Sequence, residues 1–192
     1  MRRARLRCTC TALWLVATAA GTLRSQSLPA VEAGEVDAVA AAASISAERA
    51  VHHLSAVTVD ARLMRIAALH ARRMAGFGRV EHTLPGEGSF EQRLADGGFP
   101  ASWAAENVGG GPQTLARMLE LWHGSPGHAA NLLLAGVSKL GIGVAIAPGS
   151  PYKVYWSLVL AEDVVTGRDE FDVEVLDVSV RERPARAQLH RR

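Results

Sequence analysis

Cysteine is nearly absent from this 192-residue chain, which contains only Cys8 and Cys10. Both lie in the apolar N-terminal segment, so we expect a mature protein with no disulfide, no thiolate nucleophile and no cysteine metal site. The chain also lacks a strong excess of one charge. Its formal net charge is +2, and the basic residues concentrate at its two ends. This distribution argues against a nucleic-acid partner, which would need a basic patch on the folded domain.

The N-terminal apolar run is shorter than the roughly 20 residues that a transmembrane helix needs. It lies within Cys8–Leu23, follows arginines at positions 2, 3, 5 and 7, and contains Ala17-Thr18-Ala19 as a cleavage site. These features are typical of a secretory signal peptide. We therefore predict a signal peptide at residues 1–23 and a protein that is secreted or held in the periplasm or cell envelope. Cleavage and retention as an anchor both stay open, and the mature protein has no predicted transmembrane span.

The rest of the chain is predicted to form one domain with extensions. Hydrophobic residues make up 48% of the sequence, enough to bury a core without disulfide bonds. Residues 24–41 have the composition of a linker that passes into an alanine-rich helix. Residues 42–163 carry the regular patterns of the domain, and residues 164–192 form a C-terminal extension. Within it, residues 171–180 alternate as an edge strand would, and residues 181–192 are basic, unpatterned and predicted to be disordered.

A helix and a loop are predicted in the first half of the domain. Asp60 can cap a helix that Gly76 ends. Its apolar face is predicted to contain Leu63, Ile66, Ala67, His70, Ala71 and Met74. We expect His70 to be a satisfied core residue rather than a ligand. His82 lies in the glycine- and proline-rich loop 76–88, and loops on a rigid scaffold often carry function.

Capping signals predict two further helices. Ser89 and Gln92 form a capping box, so Phe90–Ala95 should be a short helix that Gly97 and Gly98 end. The next helix has an apolar stripe at i, i+3, i+4 and i+7, formed by Leu115, Met118, Leu119 and Trp122. Gly124 is expected to end it.

A third helix start follows at once and carries a histidine. Ser125 fits an N-cap, and Pro126 fits the first helical position, where its missing N–H costs nothing. His128 then lies in the first turn, so a rigid helix start would fix its imidazole. Just upstream, Asn107 is predicted to brace the bend at Gly109–Gly111 by side-chain hydrogen bonding.

Two strands are readable after this helix. The first alternates large residues with small ones: Leu140, Ile142, Val144 and Ile146 against Gly141, Gly143 and Ala145. The nearly bare face suits the close packing of a helix or a ligand. Residues 147–151 form a turn, and the alternation resumes at Val154, Trp156, Leu158 and Leu160. This pattern predicts a hairpin.

The candidate site residues are His82, Glu106 and His128, which follow loops or open a helix and fall on no core stripe. Two imidazoles and one carboxylate would match a three-ligand zinc site with an open water position. Their long spacing has no local signature such as H-E-x-x-H. A hydrogen-bonded polar cluster that braces the loops therefore remains the alternative.

Five sequence blocks follow one another in the order L-H-A-R-R-M-A, E-H-T-L-P-G-E-G-S-F-E-Q-R-L-A-D-G-G-F, A-E-N-V-G-G-G, L-W-H-G-S-P-G-H-A-A-N-L-L and L-G-I-G-V-A-I. Together they resemble the CAP superfamily, which contains the cysteine-rich secretory proteins, antigen five and plant pathogenesis-related class one proteins. The similarity is to the cysteine-free bacterial SCP-like members. It covers about Ala42 to Asp163. The resemblance implies an α+β fold, a three-layer α-β-α sandwich around an antiparallel sheet.

The resemblance also implies a solvent-open cleft lined by two histidines and two acids, which binds zinc in some relatives. His82 and His128 match the two histidines, and Glu106 matches the acid of the E-N block. The position of the second acid is occupied by Ser125. The implied cleft is therefore His82, Glu106, Ser125 and His128, with His82, Glu106 and His128 as the candidate metal ligands.

Three functions follow as hypotheses. The first is an exported, non-enzymatic binding module whose cleft holds a divalent metal such as zinc and a small polar, peptide or lipid ligand. The second is a zinc-dependent hydrolase in the envelope or outside the cell, using zinc-bound water. A version with Ser125 as nucleophile lacks a readable oxyanion hole. The third is a cell-envelope interaction protein that makes contact through its C-terminal extension.

Overall fold

A computed structural model of the chain describes residues 30–101, 103–162 and 174–176. The helices are α1 (Ala38–Val51), α2 (Ala61–Phe77), α3 (Phe90–Asp96), α4 (Leu115–His123) and α5 (Pro126–Leu132). The strands are β1 (Glu32–Ala33), β2 (Thr58–Val59), β3 (Trp103–Gly110), β4 (Lys139–Ile146), β5 (Val154–Ala161) and β6 (Glu174–Leu176). The predicted signal peptide and basic tail lie outside the described residues.

These elements form the predicted α+β sandwich. The sheet order is β1-β4-β5-β3-β6, with β2 paired to β4 beside this path. The three long strands β3, β5 and β4 are antiparallel neighbours, whereas the short strands β2 and β6 pair in parallel with β4 and β3. Helices α1, α4 and α5 share one core with the sheet, and α2 and α3 share another with its opposite face.

The predicted glycine face of β4 is where α2 packs. A Cβ added to Gly141 would lie 2.1 Å from the carbonyl carbon of Leu63, and one added to Gly143 would lie 2.4 Å from Cα of Ala68. The helix backbone therefore touches the strand backbone, an approach that only glycine permits. The hairpin of β4 and β5 is also as predicted.

The helix ends follow the sequence signals with one correction. The capping box of Ser89 and Gln92 is present, and Gly124 is the C-cap of α4. Helix α2 does not end at Gly76. It continues to Phe77 and ends at Gly78, whose φ of +66° satisfies the left-handed C-cap conformation.

The folded region begins earlier than the predicted boundary at residue 42. Residues 32 and 33 pair with β4, and Asp37 caps α1 by accepting from the backbone N–H of Ala40. The predicted linker 24–41 thus contains β1 and the first residues of α1, the alanine-rich helix into which it was expected to pass. In the C-terminal extension, β6 is the expected edge strand, with the rest of residues 171–180 outside the described part. No helix in the described ranges is long and apolar enough to cross a membrane.

Candidate functional site

Glu106 lies in the middle of β3, a strand that the sequence pattern did not reveal. Its side chain is only 2% exposed and points to the α2 side of the sheet. Arg93 of α3 binds both carboxylate oxygens, Nη1 to Oε1 at 2.9 Å and Nη2 to Oε2 at 3.0 Å. Nδ1 of His82 lies 3.0 Å from Oε2, and the Ser157 hydroxyl donates to Oε1 at 3.4 Å. This carboxylate is therefore fully engaged by protein donors.

These donors keep Glu106 ionised despite its burial. Desolvation alone would raise the pKa of this carboxyl group. The hydrogen bond from His82, the nearby charge of His70 and the guanidinium of Arg93 outweigh it and lower the pKa from 4.5 to about 2. An ionised carboxylate is an acceptor only. His82 must consequently present an Nδ1–H to Glu106, which leaves Nε2 as its second ring nitrogen.

His128 reaches the site from the other layer of the sandwich. It lies in the first turn of α5, as the capping signals predicted, and is partly buried. Burial lowers the pKa of His128, and the electrostatic effect of nearby His82 lowers it further. The two imidazoles are thus close enough to interact, although they come from elements on opposite faces of the sheet.

An amide network holds α5 against β3. Asn107 donates to the backbone carbonyl of His128 at 3.1 Å and accepts from Asn131 at 2.9 Å, while Asn131 also donates to the carbonyl of Glu106. Asn107 therefore positions the helix that carries His128. The prediction that it braces the Gly109–Gly111 bend is wrong, because its side chain points to α5.

Ser125 is the N-cap of α5 as predicted, but its hydroxyl makes no capping hydrogen bond. It is partly exposed and lies one turn before His128. Among the described residues, no hydrogen bond joins this hydroxyl to His82, Glu106 or His128. The structure thus joins His82 directly to Glu106 and holds the backbone of His128 against the adjacent Asn107.

Sequence reasoning did not identify the buried charged groups that lie behind Glu106. His70 is fully buried, as predicted. Its Nδ1 lies 2.9 Å from a carboxylate oxygen of Glu87, and its Nε2 lies 3.0 Å from the carbonyl oxygen of Glu81. Both ring nitrogens of His70 therefore face oxygen atoms. Arg73 and Arg93 also approach Glu87, at 3.5 and 3.8 Å. For Arg93 a signal existed, since it falls on the apolar face of α3 with Phe90 and Leu94.

The side chains available as ligands determine which kind of metal site these residues could form. In the described part of the chain, no group of three His, Cys, Asp or Glu side chains is arranged to hold a metal ion. Glu106 in particular is held by a guanidinium, which repels a cation. The predicted ligand set of His82, Glu106 and His128 is therefore not preassembled in the described part of the chain. Glu106 instead lies where an outer acceptor would orient the His82 ring.

The fold and this site define a class: an α-β-α sandwich with a buried acid on β3 and two histidines on the elements that flank this strand. The sequence profile of the Cysteine-rich secretory protein family (CAP) matches residues 43–160. The chain belongs to this family, as its sequence blocks predicted. A comparison with curated proteins gives no match.

Two solved structures share the fold. An extracellular SCP-domain protein of Bacillus anthracis is 23% identical, with a TM-score of 0.55 over 62% of this chain. The matched region spans only 38% of that protein. An outer surface protein of Borrelia burgdorferi is 18% identical, with a TM-score of 0.60 over 69% of this chain and 100% of its own length. At these levels of sequence identity, the two structures support a shared fold and carry no statement about function.

Proposed function

We propose that this protein is an exported CAP-domain binding protein. Its cleft uses the imidazoles of His82 and His128 to hold a divalent cation and a small polar, peptide or lipid ligand, without turnover. Ser125 supplies a further polar group at the rim. Export is supported by the N-terminal signal pattern, and two fold neighbours are described as extracellular and outer-surface proteins.

The engagement of Glu106 is the observation that carries this proposal. A general base works best with a pKa near the operating pH and with a lone pair free to accept a proton. Glu106 has a pKa of about 2, and its two oxygens already accept from Arg93, His82 and Ser157. It is therefore a poor base for activating water, and this favours binding over zinc-dependent hydrolysis. A bound metal would supply an electropositive centre for a ligand oxygen.

Zinc calorimetry tests the cation part of the proposal. The chain should carry Cys8→Ser and Cys10→Ser, because two cysteines one residue apart could bind zinc themselves. We expect stoichiometric binding that His82→Ala with His128→Ala abolishes. The matched control is His52→Ala with His123→Ala, which removes two histidines elsewhere and should leave the affinity unchanged.

The remaining results separate the alternatives. Zinc binding that survives in the His82→Ala, His128→Ala variant would place the metal elsewhere and contradict the proposal. Hydrolysis of ester or peptide substrates that requires zinc and disappears in this variant would contradict the absence of turnover. Equal unfolding free energies of variant and control are needed to exclude a general loss of structure.

A further inference from the structure

We infer that Arg93 is the positioning residue of the cleft: it holds Glu106 and the His82 loop together, so that His82 keeps one tautomer and one ring orientation. This inference rests on the proposed function only in treating Nε2 of His82 as the binding atom. It assigns a role to a residue that neither the sequence pattern nor the family match singled out.

The contacts of Arg93 join three separate parts of the fold. From α3, its two terminal nitrogens bind both oxygens of Glu106 on β3, and Nη2 also donates to the backbone carbonyl of His82 at 2.9 Å. One guanidinium thus fixes the acceptor and also the backbone of the histidine that donates to it. The planar fork of arginine matches a carboxylate in this bidentate way, whereas a lysine would make only a point contact.

Arg93 itself has little freedom to move. Its side chain is 9% exposed, and the guanidinium lies over the ring of Phe90, 5.3 Å from the ring centroid. Its Nε is buried and makes no hydrogen bond with the described residues, but it faces Glu87 at 3.8 Å. The capping box of Ser89 and Gln92 fixes the start of the helix from which it projects. These contacts therefore restrict the Arg93 side chain to one conformation.

The consequence concerns the orientation of His82. His82 projects from the loop that follows α2, and its side chain is 25% exposed. The bond from Nδ1 to the clamped Glu106 selects the Nδ1–H tautomer and directs the Nε2 lone pair away from Glu106. A carboxylate acceptor of this kind fixes the tautomer and raises the basicity of a ligating imidazole, and losing it typically costs 10- to 100-fold in metal affinity.

The experiment reads the His82 tautomer directly. Metal-free, ¹⁵N-labelled full-length chain is examined by long-range ¹H–¹⁵N NMR at pH 8, with His82→Gln used to assign the ring. We expect wild type to contain only the Nδ1–H form. Arg93→Lys should give a mixture of tautomers and about 10- to 100-fold weaker zinc binding.

Arg62→Lys is the matched control, because Arg62 also pairs with a carboxylate, Asp60, and lies over the ring of Phe99. Arg62→Lys should change neither the tautomer of His82 nor the affinity for zinc. An Nε2–H form in wild type, or an unchanged tautomer in folded Arg93→Lys, would overturn the inference. If Arg93→Lys unfolds while Arg62→Lys does not, Arg93 is a structural brace, and the inference is also overturned. Absence of zinc binding in wild type would refute the cation proposal and leave the tautomer result standing.

Discussion

Among single residues, Glu106 gives the molecule a definite pH dependence. Its pKa is about 2 in the folded protein and starts from 4.5 in the unfolded chain. The unfolded chain therefore binds the proton first, and the free energy of unfolding decreases as the pH falls from about 4.5 to about 2. At pH values above this window, ionised Glu106 makes its full contribution to the free energy of unfolding. At roughly 1.4 kcal/mol per pKa unit, it is on the order of 3 kcal/mol.

We predict that Glu106→Gln flattens the stability curve in this pH window. The measurement is urea denaturation of wild type and variant at several pH values between 2 and 7. Glu120→Gln is the control, because Glu120 is 63% exposed and its ion pair in the described part of the chain is with exposed Arg117. Its curve should follow that of wild type. Parallel curves for wild type and Glu106→Gln would refute the assigned pKa.

Sequence reasoning singled out His82, Glu106 and His128 as candidates and missed the charged groups behind Glu106. His82 and His128 stood out because a loop and a capped helix start give them visible local contexts. Glu87 has no such context, and the position of Arg93 on the apolar face of α3 does not reveal its partner Glu106, which it meets only when α3 packs beside β3. Ser125 was found through its capping position, yet its capping bond is absent.

At the scale of elements, β3 was the strand that could not be predicted. It contains Glu106, Asn107 and the glycines at 109 and 110, which are residues that strands disfavour. It is a strand because it pairs with β5 along its length and because Trp122 and Asn131 donate to the carbonyls of Val108 and Glu106. Tertiary contacts override the local preference. The hairpin of β4 and β5 was predictable because its alternation is local.

The contact between α2 and β4 gives a prediction for glycines. Gly143→Ala should destabilise the protein by about 1–3 kcal/mol or more, because the new Cβ would meet helix backbone that cannot move aside. Gly76→Ala is the matched substitution in α2, where a Cβ meets nothing within 4 Å. It should instead stabilise by about 0.5–1 kcal/mol. Urea denaturation measures both, and equal effects would show that α2 does not pack this closely.

At the scale of the whole molecule, the candidate site takes its residues from both helical layers. His82 and Arg93 belong to the layer of α2 and α3, whereas His128 belongs to the layer of α1, α4 and α5. They meet at β3, which both layers cover. The overall sandwich was predictable from the sequence blocks, but the meeting of these side chains depends on the register of β3 against β5. Anything that loosens either layer should therefore weaken the cleft.

Arg49 tests this dependence, because it joins α1 to the segment between α5 and β4. It is fully buried and donates to the carbonyls of Leu132, Leu134 and Val137, more than 80 residues away. Burial lowers the pKa of Arg49, but an arginine remains charged.

Arg49→Met leaves these carbonyls without their donor, and we expect a loss of about 3 kcal/mol or more in the free energy of unfolding. Arg65→Met, at an exposed position of α2, should change it by less than about 0.5 kcal/mol. Urea denaturation compares the two. Similar values for both variants would mean that the Arg49 hydrogen bonds do not hold the layer that carries His128.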